Sequence, residues 1–340
     1  MRDVEIYDIV NPYVTIKNDV GCCPFHNEKT GSFRINKKTN TYKCFGCGEG
    51  GDGIRFIEKK EKLTFYEAIE HIAKQHNITL EYSSEYTTEE RKAKEEKIIS
   101  YREILLWCND YYRKQLKKNI DAMDYLTDRG ITADDIEEWQ LGYAPTEWKN
   151  ITPHIINLGW YNHALELGLI KTKEGNAYDK YRNRIIVPIL DKQGQITGFA
   201  GRALSKDDNA KYLNPNDSDM YAKSNIWFGW DKADKAIHQA KQVIICEGYF
   251  DVISLHKAGV ENAIAGCGTN ITEKQLATLR RHTDNVLLMQ DSDKAGIESM
   301  KKLLPMLLKL GYKVSIADLE GKDPDELVRT MGNEQLTMGN

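Results

Sequence analysis

Asp291 and Asp293 frame the turn Asp291-Ser292-Asp293-Lys294-Ala295-Gly296, which follows the apolar run Asn285-Val286-Leu287-Leu288-Met289. A short apolar run, an acidic Gly-containing turn and a helical pattern make a strand–loop–helix unit. Alternation along extended backbone sends the two carboxylates the same way. Carboxylates held that close repel unless a cation lies between them, and hard divalent cations such as magnesium take oxygen ligands of this kind. One Asp-x-Asp alone reads as an ordinary acidic turn. Two further strands deliver the same chemistry. Gln242-Val243-Ile244-Ile245-Cys246 ends in Glu247-Gly248, with Asp251 in the helical pattern that follows, and Lys313-Val314-Ser315-Ile316-Ala317 precedes Asp323-Pro324-Asp325. In open parallel α/β sheets, ligands bind at the C-terminal edge of the strands. Acidic groups at three such ends predict a divalent-metal site drawn from Glu247, Asp251, Asp291, Asp293, Asp323 and Asp325.

A second set of side chains lies near the N-terminus. Cys23-Pro24-Phe25-His26 and Cys44-Phe45-Gly46-Cys47 are two knuckles, Cys-x-x-His and Cys-x-x-Cys. Each supplies two ligands to one tetrahedral zinc. Cys22 also precedes His26, but the two-residue gap selects Cys23 and leaves Cys22 as a packing residue or spare thiol. Ser32-Phe33-Arg34-Ile35 and Thr41-Tyr42-Lys43 read as strands joined by a polar turn, which makes the segment a zinc ribbon with one zinc per chain. From Lys29 to Lys43 the basic residues are Lys29, Arg34, Lys37, Lys38 and Lys43, with no acidic one, and Phe33 and Tyr42 interleave with them. Basic groups bind phosphates and exposed aromatics stack on unpaired bases. Phe33 reads as ribbon core, and the basic group reads as a nucleic-acid contact.

The elements that must carry these groups follow from periodicity. Ile6 to Val10 is a short helix, and Leu63 to His76 is a helix closing the zinc domain, with Phe65, Ala68, Ile69 and Ile72 on one face. Ser83 to Lys97 is almost wholly polar and reads as a linker between domains, one that can be helical. A helix from Ile98 to Leu116 carries Trp107, Tyr111 and Tyr112, aromatics expected in a core. Helices Ala122–Ile131, with Gly130 as its cap, and Asp134–Trp139 follow. Tyr181–Ile189 and Ile196–Arg202 are the arms of a hairpin around Asp191-Lys192-Gln193-Gly194.

The series Glu247-Gly248-Tyr249-Phe250-Asp251, Asp291-Ser292-Asp293-Lys294-Ala295-Gly296 and Asp323-Pro324-Asp325 resembles a TOPRIM domain, the catalytic fold of DnaG-type primases and type IA topoisomerases. Ser292 stands where many primases have Gly. The two knuckles, continuing into Gly51-Asp52-Gly53-Ile54-Arg55-Phe56-Ile57, resemble the CHC2 zinc finger of the same primases. In the primase core an Arg-Gly pair, an Arg after Gly and a Lys before Tyr-Leu-Asn line a basic template and nucleotide path. Arg129, Arg202 and Lys211 match them, and between Arg202 and Lys211 lies a small loop, Lys206 to Ala210, of variable length in the family. The resemblance covers nearly the whole chain. It implies an α/β (α+β multidomain) fold: an N-terminal zinc ribbon and a mixed α/β core containing a TOPRIM fold with a mainly parallel sheet. The expected domains are 1–82 (CHC2 zinc-binding), 83–97 (charged linker), 98–240 (N-terminal part of the polymerase core), 241–330 (TOPRIM) and 331–340 (tail).

The totals agree with that organisation. The chain has 340 residues and a net charge of -4, so any nucleic-acid binding uses local patches. No stretch of ~18 apolar residues marks a transmembrane helix, and Met1-Arg2-Asp3-Val4-Glu5 lacks a signal-peptide layout. Four of the seven cysteines lie in the two knuckle regions, which points to metal in a reducing compartment. No Gly-x-x-x-x-Gly-Lys-Ser/Thr motor motif occurs. The short sequence after the TOPRIM-like region leads us to expect a phage or mobile-element origin, or a helicase contact elsewhere, and a place in the cytoplasm of a bacterial or phage-infected cell.

The resemblance implies a DNA primase that makes short RNA primers on single-stranded DNA from ribonucleoside triphosphates, with a replicative helicase as partner and no membrane. Glu247, Asp291 and Asp293 are its expected catalytic residues. Magnesium or manganese is the expected catalytic metal, with Asp251, Asp323 and Asp325 assisting. A TOPRIM nuclease or topoisomerase, and a non-catalytic zinc-ribbon protein that binds single-stranded DNA, are the alternatives. The knuckles and the intact acidic set argue against both.

Overall fold

The computed structural model describes residues 4–61, 63, 65–80, 88–205, 208, 210–268, 271–291, 293–319 and 321–331. The expectations for Ser292, for the domain boundary at residue 82, for residues 83–87 of the linker, for Lys206, Asp207 and Asn209, and for the tail from residue 332 lie outside them. The chain divides into two units, Met1–Thr87 and Thr88–Asn340.

In the first unit, helix α1 (Ile6–Val10) precedes an antiparallel sheet of β1 (Val20–Gly21), β2 (Phe33–Asn36), β3 (Thr41–Cys44) and β4 (Gly50–Asp52), in that order. Alternation along β2 and β3 buries Phe33, Ile35, Tyr42 and Cys44 and leaves Arg34, Asn36 and Lys43 exposed. Helices α2 (Gly53–Glu61) and α3 (Phe65–Gln75) complete the unit. The sequence reading anticipated α3 and missed α2. Phe33 is core, as expected. Tyr42 corrects the reading of an aromatic available to bases: it is 2% exposed and stacks on Phe33 at 5.0 Å, with Phe56 edge-on at 5.5 Å. The exposed aromatic is instead Phe45, 71% accessible, with the Arg34 guanidinium 5.8 Å from its ring centre.

The second unit begins with α4 (Thr88–Leu116). Residues 88–97 of the expected linker are helical and form the first turns of α4, which the sequence reading started at Ile98. Tyr101, Ile104, Leu105, Cys108 and Tyr112 recur at three- and four-residue steps and are buried. Each such side chain contributes about 1.5–3 kcal/mol when fully buried. Trp107 and Tyr111 are half-buried against them. Helices α5 (Ile120–Asp128) and α6 (Ala133–Glu138) lead to β5 (Gly142–Ala144). An outlying pair of helices, α7 (Thr152–Asn157) and α8 (Tyr161–Glu166), and a hairpin, β6 (Ile170–Lys173) with β7 (Asn176–Asp179), follow. The expected hairpin is β8 (Arg184–Leu190) and β9 (Ile196–Ala203), which with β10 (Tyr212–Leu213) forms an antiparallel sheet ordered β10-β9-β8-β5.

The rest is a layered α/β arrangement: β11 (Trp227–Phe228), α9 (Trp230–Ala240), β12 (Val243–Cys246), α10 (Tyr249–Lys257), β13 (Ala263–Gly266), α11 (Glu273–Leu279), β14 (Asn285–Met289), α12 (Lys294–Lys309), β15 (Lys313–Ile316) and α13 (Pro324–Met331). The sheet runs β11-β13-β12-β14-β15, parallel throughout except for β11. The inner strands β13, β12 and β14 are nearly continuous apolar runs because both their faces are covered, whereas the edge strand β15 is largely exposed. Val243, Ile245, Val286 and Leu288 face Ala233, Leu276, Leu303 and Leu307 of α9, α11 and α12. Ile244, Cys246 and Met289 pack in the cluster that holds α10 and the α5–α6 region. The sequence reading missed β11 and β13. No described helix is long and apolar enough to cross a membrane.

Candidate active site and zinc site

Adjacent parallel strands β12, β14 and β15 bring their C-terminal ends to one edge. Glu247 follows β12. Asp251 lies in the first turn of α10, where its Oδ2 accepts the Gly248 N–H at 2.8 Å. Asp291 follows β14, whose end is tied to β12 by the Gln290 amide donating to the Ile245 carbonyl at 2.9 Å. A Cβ at Gly296 would come 2.1 Å from the Asp291 carbonyl oxygen, so α12 starts beside Asp291 only with glycine there. Asp323 precedes Pro324 at the start of α13 and accepts the Glu326 N–H at 2.6 Å.

These groups line a cavity of about 300 Å³. Its acidic wall is Glu247, Asp251, Asp291 and Asp323, and its basic wall is Arg129, Arg202 and Lys211. Tyr212, Tyr249 and Phe250 supply apolar surface, and Asn214 with Gly248, Gly266 and Gly268 completes the lining. Burial first, and then the neighbouring carboxylates, push Glu247, Asp251 and Asp291 upward. Asp251 rises to about 8, with Asp291 its main acidic neighbour. Glu247 rises through burial and then the charges of Asp291 and Asp293. Asp291 rises through burial and Asp323, with Lys211 acting the other way. Oε2 of Glu247 and Oδ1 of Asp291 are buried and have no hydrogen-bond partner among the described residues. Unsatisfied buried carboxylate oxygens are costly, and a divalent cation would satisfy both. The donor set therefore fits a hard divalent metal.

The structure does not bring every expected ligand to this cavity. Asp293 is exposed and caps α12, its Oδ1 accepting the Gly296 N–H at 2.8 Å. Asp325, 1% exposed, is not among the lining residues, and both its oxygens have partners. Oδ1 takes the Ser254 hydroxyl at 2.6 Å; Oδ2 pairs with Arg129 at 2.7 Å and Arg329 at 3.3 Å. The structure thus places Asp325 beside the cavity as a partner of Arg129. Arg129 is further held by the Tyr125 hydroxyl at 2.9 Å and lies 5.2 Å from the Tyr125 and Phe250 ring centres. Arg202 lies 4.9 Å from the Tyr212 ring centre, and Lys211 is exposed at the cavity.

Sequence reasoning missed several contributors. Gly266 ends β13 and Gly268 follows it, and the apolar run Ala263-Ile264-Ala265 before Gly-Cys-Gly was a usable signal. Asn214 accepts the Tyr249 hydroxyl at 2.7 Å, and buried Lys180 donates to the Asn214 carbonyl at 2.7 Å and to Asn216 Oδ1 at 3.0 Å. No local sequence pattern marks Lys180, because its partners are supplied by a distant loop.

In the first unit, ligand atoms of Cys23, His26, Cys44 and Cys47 lie within 4.8 Å of one another. Cys23 and Cys47 sulfurs are 3.9 Å apart, and Cys44 Sγ is 3.9 Å from His26 Nδ1. Tetrahedral zinc with ordinary bond lengths places two sulfurs roughly 3.8 Å apart and a sulfur and nitrogen roughly 3.6 Å apart. The four residues fit zinc and fill its shell. Burial opposes ionisation of Cys44, but hydrogen bonds from Ser32 and from the Cys47 and Gly46 N–H groups bring its thiol down to about 6. Burial raises Cys23 to about 12. Cys22 is exposed and outside the cluster. Lys29, Arg34, Lys37, Lys38 and Lys43 are all exposed. Arg34 and Lys43 sit directly opposite on β2 and β3, while Lys37 pairs with Asp19 at 3.1 Å and Lys43 Nζ donates to the Gly48 carbonyl at 2.7 Å.

Three family models match the chain: CHC2 zinc finger over residues 1–88, DNA primase catalytic core, N-terminal domain, over 111–234, and Toprim-like over 244–328. The chain is 36% identical over 343 residues to a DNA primase of Halalkalibacterium halodurans, covering 98% of this chain and 57% of that protein. It is 34% identical to a DNA primase of Aquifex aeolicus, covering 98% of this chain and 66% of that protein. Among solved structures, the zinc-binding and RNA polymerase domains of Aquifex aeolicus primase align with a TM-score of 0.64 and 31% identity, over 98% of this chain and 82% of that one. A DnaG primase catalytic domain bound to single-stranded DNA aligns with a TM-score of 0.64 and 30% identity, over 71% of this chain and 78% of that one.

Proposed function

The chain belongs to the DnaG-type DNA primase family, and from that premise we propose that it synthesises short RNA primers on single-stranded DNA. It spans 57% of the length of the Halalkalibacterium relative. The observation that carries the reading is the cavity itself, which Glu247 and Asp291, each with a buried oxygen unpaired among the described residues, line together with Arg129, Arg202 and Lys211. Acidic and basic groups lining one cavity suit a polyanion that arrives with divalent cations. In this reading the partners are a DNA template, ribonucleoside triphosphates and a replicative helicase.

Glu247, Asp251, Asp291 and Asp323 would hold magnesium or manganese, with Asp293 at the margin. When bound, such ions orient a triphosphate, lower the pKa of a 3'-hydroxyl and neutralise the leaving pyrophosphate. Lys211 and Arg202 contribute donors to phosphate oxygens across the cavity. Arg129 presents a guanidinium already fixed by Asp325 and Tyr125, so little side-chain entropy is lost when a phosphate meets it. Tyr212, Tyr249 and Phe250 exclude water on the apolar side. Asp251, pushed up to about 8 by burial, would hold a proton at neutral pH in the metal-free cavity and would have to be ionised to serve as a ligand. Glu247, raised by burial, supplies a ligand oxygen or accepts the 3'-hydroxyl proton. In the first unit, zinc on Cys23, His26, Cys44 and Cys47 would be structural, since four protein ligands leave no open position. Beside it Arg34, Lys43 and exposed Phe45 offer cations and one aromatic face to single-stranded template.

The test is incubation with single-stranded DNA, labelled ribonucleotides and magnesium or manganese. Short template-dependent RNA is expected. Cut DNA would assign the site to a nuclease, and neither product would reduce the chain to a binding protein.

A further inference from the structure

Glu28 belongs to neither knuckle, yet it touches three of the four zinc ligands or their neighbours. Its Oε1 accepts the Cys23 N–H at 2.6 Å and the Ser32 N–H at 3.1 Å. Its Oε2 accepts the Ser32 hydroxyl and lies 3.2 Å from His26 Nε2. Ser32 Oγ in turn lies 3.2 Å from the Cys44 sulfur. The side chain of Glu28 is 11% exposed, so these contacts are made largely out of water.

The two nitrogens of His26 have different surroundings. Nδ1 is 3.9 Å from Cys44 Sγ, a separation two ligands of one metal would have, and Nε2 faces the Glu28 carboxylate. A Cβ at Gly46 would stand 2.8 Å from both His26 Nε2 and Ser32 Oγ, so the backbone closes over this side of the ring. A carboxylate accepts hydrogen bonds and cannot donate one when ionised. Nε2 must then carry the proton, and Nδ1 must keep its lone pair for the metal.

We infer that Glu28 is the positioning residue of the zinc site: it fixes the His26 tautomer and draws Cys23, His26 and Ser32 onto one carboxylate. This rests on the zinc reading above. Metal-bound histidines are typically oriented by such an outer carboxylate, whose loss costs about 10–100-fold in metal affinity.

Glu28→Gln separates this role from that of an ordinary turn residue. The amide oxygen still accepts the Cys23 and Ser32 N–H groups, and the amide nitrogen can still meet the Ser32 oxygen. Only the contact to His26 becomes donor against donor. Zinc transfer from the full chain to a coloured chelator should be about 10–100-fold faster in Glu28→Gln than in wild type. In a His26→Cys background, which has no imidazole to orient, the same substitution should change the rate less than about threefold. Nitrogen-15 spectra of the zinc-loaded wild type should show His26 bound through Nδ1 and protonated on Nε2, a readout independent of how any variant folds. Equal release rates, an undiminished effect in the His26→Cys background, or Nε2 coordination would each overturn the inference. A wild-type chain that holds no zinc removes the zinc site itself, and Glu28's role with it. A zinc-loaded wild type with an unaffected Glu28→Gln removes only the role of Glu28.

Discussion

Asp251→Asn should make the chain more stable at alkaline pH when no magnesium is present, and insensitive in part to pH. Asp251 is 7% exposed and burial pushes it to about 8 from an ordinary 3.8. The folded state therefore keeps a proton that the unfolded state releases, and stability falls as pH rises between about 4 and about 8. At about pH 7.5 the full linkage corresponds to about 5 kcal/mol, taking 1.36 kcal/mol per unit. Relaxation of the carboxylate cluster and entry of water bring the expected measurable gain from Asn to about 1–3 kcal/mol. Asn retains an oxygen for the Gly248 N–H, so the start of α10 keeps its cap. Denaturant unfolding of the zinc-loaded chain, without magnesium, should give similar stabilities near about pH 5 and a more stable variant near about pH 8. A residual slope in the variant comes from Glu247 and Asp291, which burial also raises. Magnesium should stabilise wild type more than the variant. Parallel pH profiles for the two proteins would refute the argument.

Asp325→Asn should have the opposite sign, losing about 2–3 kcal/mol, because it leaves Arg129 and Arg329 without their buried carboxylate; a gain in unfolding midpoint without magnesium would return Asp325 to the metal ligands. Metal analysis should find one zinc per chain, and Cys44→Ala should lose it, since the remaining ligands leave the shell open; full zinc in that variant would refute the site. Arg34→Ala with Lys43→Ala should lower the salt dependence of single-stranded DNA binding by about one to two units of log–log slope; an unchanged slope would place the contact elsewhere.

How far the sequence could be read depended on whether a feature was local. The strand ends carrying Glu247 and Asp291 were legible because an apolar run, an acidic residue and a glycine lie within one short window. Gly296 belongs to the same window, and its need is steric against Asp291. The knuckles were legible because ligand spacing within each is fixed by one turn. What was hidden depended on partners far along the chain. Asp325 looks like a ligand beside Asp323, and only the fold shows Arg129 and Ser254 taking its oxygens. Tyr42 and Phe45 are both aromatic and near basic residues. The pleat of β3 buries the first, and the second lies past the strand end in solvent. The start of α4 was hidden because its first turns are polar all round and carry no amphipathic signal.

The central claim is that Asp291 serves nucleotidyl transfer and that the basic groups serve binding. Asp291→Asn measured for primer synthesis, single-stranded DNA affinity and melting temperature in one series tests it most directly. The substitution removes a charge from a self-repelling cluster while keeping a carbonyl oxygen. The account predicts no RNA product, unchanged DNA binding and a melting temperature equal to or above wild type. Normal primer synthesis, or a variant that unfolds, would contradict it and make Asp291 a structural turn residue.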